Sequence, residues 1–457
     1  MKTLSLLPGL TVALLIHSYQ ANAQNVGIGT NSPNSSALLH IELNGNVTKG
    51  LLVSGNYNGS ATVPSLGSGS RLMFYPGKAA FRAGFIDAGG TQWDNANVGF
   101  FSAAMGYNTK ASGQFSTATG SANTASGYAS SAMGEGSVAN NNYGVAMGYH
   151  SLASGAAAMA LGSNATATGL AAVALGNSTT AGDDYTFASG YKSVANYVGA
   201  TAIGAQCTAS GAYSLAFGYQ SVASGYSTAA IGTNTTASGN FALAVGYQTV
   251  ASGHNSTALG YNVNSNNKLS AVIFGDSDPN GEGITYSGYP DEFVARFWNG
   301  YYFLTSGNTT RFGVSVGHNG NSWVSICDKN QKENFEPLNG EEVLQKLSDI
   351  PFSSWNYKQQ DPKIYRHYGI MAQDFYHAFG RDNFGIIGND TTVNPIDMIG
   401  IDMTAIQALE KRTTDLKNAN TALQERNERL QETITTLQAQ FTQQLKQVEE
   451  LMALVKK

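Results

Sequence analysis

The sequence predicts a mainly β protein built as a solenoid of fourteen-residue coils, and three observations carry that prediction. Twelve glycines recur every fourteen residues from Gly106 to Gly260 without a slip, and a fixed short period is the mark of a repeat rod. An alanine stands two residues before each of them, from Ala104 to Ala258. Another stands five residues after each of the first eleven, from Ala111 to Ala251, so each coil divides into two half-turns.

Inside a half-turn the pattern has period two, which is the signature of a strand. Larger apolar residues flank the alanine, as in Val145 and Met147, Met159 and Leu161, Leu215 and Phe217, and Leu243 and Val245. One face is therefore bulky and the other is a row of methyl groups. The expectation is that the bulky face fills the inside of the roll, while the methyl face lets a neighbouring chain approach. Gly113, Gly127, Gly155, Gly169, Gly211, Gly225, Gly239 and Gly253 punctuate the second corner, where a positive φ favours glycine. Twelve coils at ~4.8 Å per ladder step make a rod on the order of 50 Å long.

So thin a roll buries too little surface to offset the ordering of its chain, and oligomerisation is the expected remedy. Over residues 101–260 the repeats resemble the heads of YadA-like trimeric adhesins. That resemblance implies a left-handed parallel β-roll with three chains packed around an axis. The alternative, a flexible Gly/Ala/Ser linker, gives no reason for a fourteen-residue beat.

Composition agrees with an elongated β protein: 457 residues, 53 glycines and 12% charged side chains. Only Lys110, Glu135, Asp183, Asp184 and Lys192 are charged within the repeats, which leaves no electrostatic footprint for nucleic acid. Residues 1–23 read as a secretory signal: Lys2, an apolar stretch through Leu14, Leu15 and Ile16, then Ala21-Asn22-Ala23 before Gln24. The expected location is secreted or at the cell surface. No later run approaches eighteen apolar residues, so no integral membrane segment is expected, and no run of alternating barrel strands follows the tail.

Residues 24–100 read as an N-terminal β cap, from Asn25-Val26-Gly27-Ile28-Gly29-Thr30 to Ser70-Arg71-Leu72-Met73-Phe74-Tyr75. They resemble the start of exported fibre-like bacterial proteins. Residues 261–320 lose the period and read as a β neck. Asp276, Asp278 and Asn280 alternate there, but without the glycine and distal Glu of a calcium loop they read as a solvated turn. No metal or cofactor is expected. Two cysteines make no disulfide framework; Cys207 is read as a small core or surface residue.

Chemistry gathers in residues 321–400. The chain runs Cys327-Asp328-Lys329-Asn330-Gln331-Lys332, then Trp355-Asn356-Tyr357, then His367-Tyr368-Gly369-Ile370-Met371-Ala372-Gln373, and enters a helix through Ala405 to Glu410. This ordered set resembles the intramolecular chaperone auto-processing domain of phage endosialidases, tail fibres and myelin regulatory factor. The resemblance implies a chaperone that trimerises first, templates the fibre and cuts itself off. It makes Cys327 the nucleophile, Asp328 the following acid and Lys332 the general base, with cleavage between Ile326 and Cys327. The family carries serine where Cys327 stands. A thiol ionises near pKa ~8.5 and needs less activation than a hydroxyl, and a lysine desolvated by burial loses its proton near neutrality. His367, Gly369 and Gln373 belong to a supporting motif, with packing or hydrogen bonding as the role of the histidine.

Residues 401–457 read as a coiled coil. Leu409, Leu416, Leu423, Leu430, Leu437 and Leu451 fall on one heptad position, with Gln444 the exception. Ile406, Thr413, Asn420, Asn427, Ile434, Phe441, Val448 and Val455 take the other. Asparagine at that position often favours dimers, so the homotrimer rests on the head and the resemblance. The expected whole is a trimeric fibre or adhesin-like protein whose only enzymatic act is one self-cleavage. It would bind a host or environmental glycan or protein. The rivals are a fibre-borne glycan-degrading enzyme, which needs paired carboxylates, and the same fibre with an uncleaved, permanent chaperone.

Overall fold

A computed structural model describes residues 25–43, 50–277, 281, 283–306 and 312–455. The expected signal, residues 1–23, and both Asp278 and Asn280 lie outside the described residues. The chain divides into two compact units, Met1–Tyr302 with Ser315–Trp323, and Phe303–Val314 with Val324–Lys457.

The first unit is a parallel β-solenoid. Each coil contributes a five-residue strand such as Val145–Tyr149 and a two-residue strand such as Leu152–Ala153. The long strands stack into one sheet and the short ones into a second. Register is kept by the sequence period: Ala146 pairs with Ala160 and Gly148 with Gly162, then Ala160 with Ala174 and Gly162 with Gly176. Beyond the last periodic glycine, Val272–Gly275 and Phe293–Arg296 continue the first sheet in parallel. Thr285–Tyr286 continues the second.

The faces are the reverse of the sequence expectation. Both alanine series, from Ala104 to Ala258 and from Ala111 to Ala251, point inward and are fully buried. Met147, Leu161, Leu175 and Val245 flank them on the outside and stay half-buried, while Phe217 is 47% exposed. The physical reason is width. A short strand pressed between two tight corners leaves room for a methyl or a hydroxyl, and a leucine or phenylalanine would force the sheets apart.

Serine, threonine and further alanines fill most of the remaining inward positions, with Asn123 at one of them. Ser116 Oγ donates to Gly113 O (2.6 Å), and Ser151 and Ser221 donate to Gly162 O (3.0 Å) and Gly232 O (2.9 Å) in the next coil. Cys207 takes one of these places, its Sγ 3.1 Å from Gly218 O. It is therefore a core residue, and burial raises its thiol pKa.

The corners also differ from expectation. Left-handed residues lie two positions after the glycines: Asn108, Asn164 and Asn234 at one corner, Phe115, Tyr213 and Phe241 at the other. Gly113 does not adopt a positive φ; a Cβ there would stand 2.0 Å from Gly127 O, so close backbone approach is what requires glycine. Gly176 faces both demands, with φ +122° and a would-be Cβ 2.1 Å from Gly190 O.

At the N-terminal end, strands Gly69–Tyr75 and Ala80–Ile86 form an antiparallel pair, and the second lies parallel to the first coil with Arg82 opposite Ala104. Arg82 is fully buried. Its guanidinium donates to Phe81 O (2.8 Å), Ser102 O (3.0 Å), Ser102 Oγ (2.9 Å) and Ala111 O (3.0 Å). Desolvation lowers its pKa to about 10. A long side chain thus fills the end of the methyl-lined interior, its guanidinium sharing Ser102 O and Ala111 O with the backbone donors Phe81 N and Gly99 N.

In the second unit, α1 (Gly340–Asp349), α2 (Ala372–Phe379) and α3 (Pro395–Val455) surround a small core of Val343, Ile350, Phe375, Phe379 and Ala405. Asn339 caps α1 through Glu341 N and Glu342 N. Gly340 lets α1 approach α3, since a Cβ there would meet Ala408 Cβ at 2.8 Å. Glu341 and Arg412 form a two-toothed ion pair between α1 and α3.

Candidate functional site

Val324–Ser325 is the last strand of a three-stranded sheet, and Ile326 N donates to Gly313 O at 3.2 Å. The sheet therefore ends one residue short of Cys327. Asp328 then starts a single 3-10 turn, Lys329–Gln331. Its Oδ1 accepts from Asn330 N (2.9 Å) and Asn330 Nδ2 (3.0 Å), and Lys332 N donates to Lys329 O (3.1 Å). The turn reverses the chain, and Lys332 Nζ comes to 2.8 Å from Cys327 Sγ.

The five-residue spacing thus becomes a contact because an acid-capped turn lies between its ends. Asp328 caps the turn that delivers the lysine, and both hydrogen bonds of its carboxylate come from Asn330. At this distance Nζ can exchange a proton directly with the sulfur, and the thiolate is the nucleophilic form of cysteine. One expectation is not met within the protomer: Cys327 and Lys332 are both exposed, so the chain's own packing does not desolvate the lysine. A turn with no core beneath it offers nothing to bury it.

His367, Gly369 and Gln373 lie apart from this contact. Strand His367–Gly369 pairs with Ser353–Trp355, His367 opposite Trp355. The imidazole stacks on the Trp355 ring at 4.7 Å and meets Tyr357 at 5.6 Å. Its Nε2 is buried without a hydrogen-bond partner, as is Trp355 Nε1. Gln373 is an exposed residue in the first turn of α2.

The adjacent carboxylates of the repeats and Asp276 hold backbone donors. Asp184 Oδ1 accepts Leu170 N (2.8 Å) and Asp183 Oδ1 accepts Asp184 N (2.8 Å), so both lie at a corner and not on opposite strand faces. Asp276 Oδ2 accepts Trp298 N at 2.7 Å. Among the described residues no cluster of His, Cys, Asp or Glu is arranged to hold a metal. No helix among them is long and apolar enough to cross a membrane.

Two features went unread in the sequence. Arg82 gave no signal, because a lone arginine in a strand reads as an exposed charge. The Glu341–Arg412 pair is separated by too much chain for any spacing rule.

Comparison with known families agrees with this division. Residues 99–123, 125–151, 153–179 and 209–262 match YadA head domain repeats, and residues 327–381 match the chaperone of endosialidase. The class defined by fold and site is thus a head-repeat solenoid followed by an endosialidase-type chaperone domain. The unmatched stretch between Thr180 and Thr208 keeps the same strands and register in the structure, so the solenoid is continuous through it. The second match opens on Cys327 itself. No curated relative matches the chain.

Proposed function

We propose that the chain is an exported homotrimeric fibre, adhesin-like, whose C-terminal domain is its trimerisation chaperone and cuts itself off between Ile326 and Cys327. Head repeats of this kind imply a cell-surface or secreted protein. The domains would be a signal over 1–23, a cap over 24–100, the head over 101–260, a neck over 261–320, the chaperone over 321–400 and a coiled coil over 401–457.

The observation that carries the reading is the Lys332 Nζ to Cys327 Sγ distance of 2.8 Å at the first residue of the chaperone match. Association is supported by the outward columns Met147, Leu161, Leu175, Ile203, Ile231 and Val245, half-buried in one chain, and by the exposed leucines of α3. Packing three chains would cover these columns.

Cys327 Sγ would add to the Ile326 carbonyl carbon, and collapse of the adduct would release the Cys327 amine, protonated from Lys332. Water would then open the thioester. Intact-mass measurement of the expressed chain tests this beside Cys327→Ala and Lys332→Ala. A break after Ile326 that both substitutions abolish is expected. An uncut parent chain that still sediments as a trimer would leave the domain as a permanent chaperone.

A further inference from the structure

The same contact carries a second chemical consequence, which rests on the cleavage reading. We propose that the acyl group of Ile326, once on Cys327 Sγ, is transferred to a primary amine outside the chain, so that the fibre leaves its chaperone joined to an acceptor through a new amide bond.

The argument starts from sulfur. An oxyester and a thioester differ in what they prefer to react with. Thiolate is the better leaving group, its conjugate thiol ionising near ~8.5, and thioesters favour amines over water far more than oxyesters do. A serine at this place suits hydrolysis; the cysteine that occupies it suits transfer. Geometry supplies the rest. Lys332 Nζ lies 2.8 Å from Sγ, and Cys327 is exposed, so an outside amine has access to the acyl carbon.

Protons and electron pairs balance over the cycle. The reacting form of the pair is a thiolate beside an ammonium. Sγ bonds to the Ile326 carbonyl carbon, the C–N bond to Cys327 breaks, and the ammonium gives its proton to the departing Cys327 nitrogen, leaving Lys332 neutral. The incoming neutral primary amine bonds to the same carbon and the C–S bond breaks with its electron pair on sulfur. The surplus proton of the new amide nitrogen passes to Lys332, which restores thiolate and ammonium. Transfer also solves a problem of direction. The freed Cys327 amine stays beside the thioester and reverses the first step unless another nucleophile intervenes, and an amide made to an outside amine does not revert.

The test uses the full chain made by cell-free translation with glycinamide as the acceptor, followed by intact-mass analysis of the fragment ending at Ile326. The expected fragment is heavier than the free acid by glycinamide less one water, and it exceeds the acid in amount. In Cys327→Ser the ratio should invert toward the acid. Cutting with free acid alone would overturn transfer and leave cleavage standing. An Ile326–Lys332 amide, seen as a branched peptide in a chain of uncut mass, would overturn transfer to an outside amine. No cutting in either protein would remove the cleavage reading and transfer with it.

Discussion

The solenoid and helix α3 treat their apolar residues in opposite ways. A coil of the solenoid encloses an interior with its own backbone, fills it with methyls and hydroxyls, and turns its larger apolar side chains outward. The helix has no interior beyond its first turns. Ala405 and Ala408 are buried, but Leu409, Leu416, Leu423, Leu430, Leu437 and Leu451 are half to two-thirds exposed. In the solenoid, inward residues that fold the coil alternate along one strand with outward apolar residues that the proposed trimer would cover; in the helix the whole apolar stripe is exposed, and the same proposal assigns it to association. The two roles should therefore separate by single substitutions in the first region and not in the second.

The sharpest way to break this comparison is within strand Val173–Asn177. Ala174 is fully buried while its neighbour Leu175 is only half-buried on the outer face. Ala174→Leu should cost at least the ~1–3 kcal/mol of ordinary overpacking, because the opposing sheet is held by the coil's own corners. Loss of the cooperative thermal transition monitored by circular dichroism is expected. Gly176→Ala should follow, since the added Cβ meets both a φ of +122° and Gly190 O at 2.1 Å. Its cost should exceed the ~1 kcal/mol of conformational strain alone. Unchanged midpoints in both variants would mean that the interior is wider than described.

Association is the next test. Leu161→Ser with Leu175→Ser should leave the β signal intact at concentrations where the oligomer persists and shift sedimentation toward smaller species as the protein is diluted. Leu416→Ser with Leu423→Ser should do the same through the tail, while the helix signal falls with the oligomer, because an isolated helix is held mainly by what its apolar face packs against. If the outer-face pair instead unfolded every chain at all concentrations, the assignment of those columns to association would fail.

The comparison also explains what the sequence could disclose. The coil and its register were legible, because a period is a property of order along the chain, whereas Cys327 and Lys332 were singled out only through the resemblance of the ordered motifs around them. Which face points inward was not legible. Alternation in Val145-Ala146-Met147 says that two faces differ, and only the distance between the sheets decides that alanine lies inside. The corner geometry was hidden for a related reason: the glycine at 113 looked like a site of positive φ, whereas its need is steric and the left-handed residue is Phe115. Burial of Lys332 was inferred from what the chemistry requires, and a single protomer has no element packed over it. Arg82 stayed invisible because its place opposite Ala104 depends on a hairpin joining the ladder.

The smallest effect lies where α3 changes character. Ala408 is its last buried residue, and Arg412, one turn later, grips Glu341 of α1. Hydrogen bonding to Arg412 holds the Glu341 carboxyl below its ordinary value. A lowered carboxylate pKa contributes stability above the unfolded pKa of ~4.3, and that contribution is lost as pH falls through the folded value. Both side chains are solvent-exposed, so salt should screen the contribution as well. Glu341→Gln should therefore lower the unfolding midpoint slightly at pH 7 and low salt, and the difference from the parent should vanish both in acid and in high salt. A difference that survives acid would mean that the pair acts by shape, holding α1 against the helix until the α3 stripe becomes free to meet other chains.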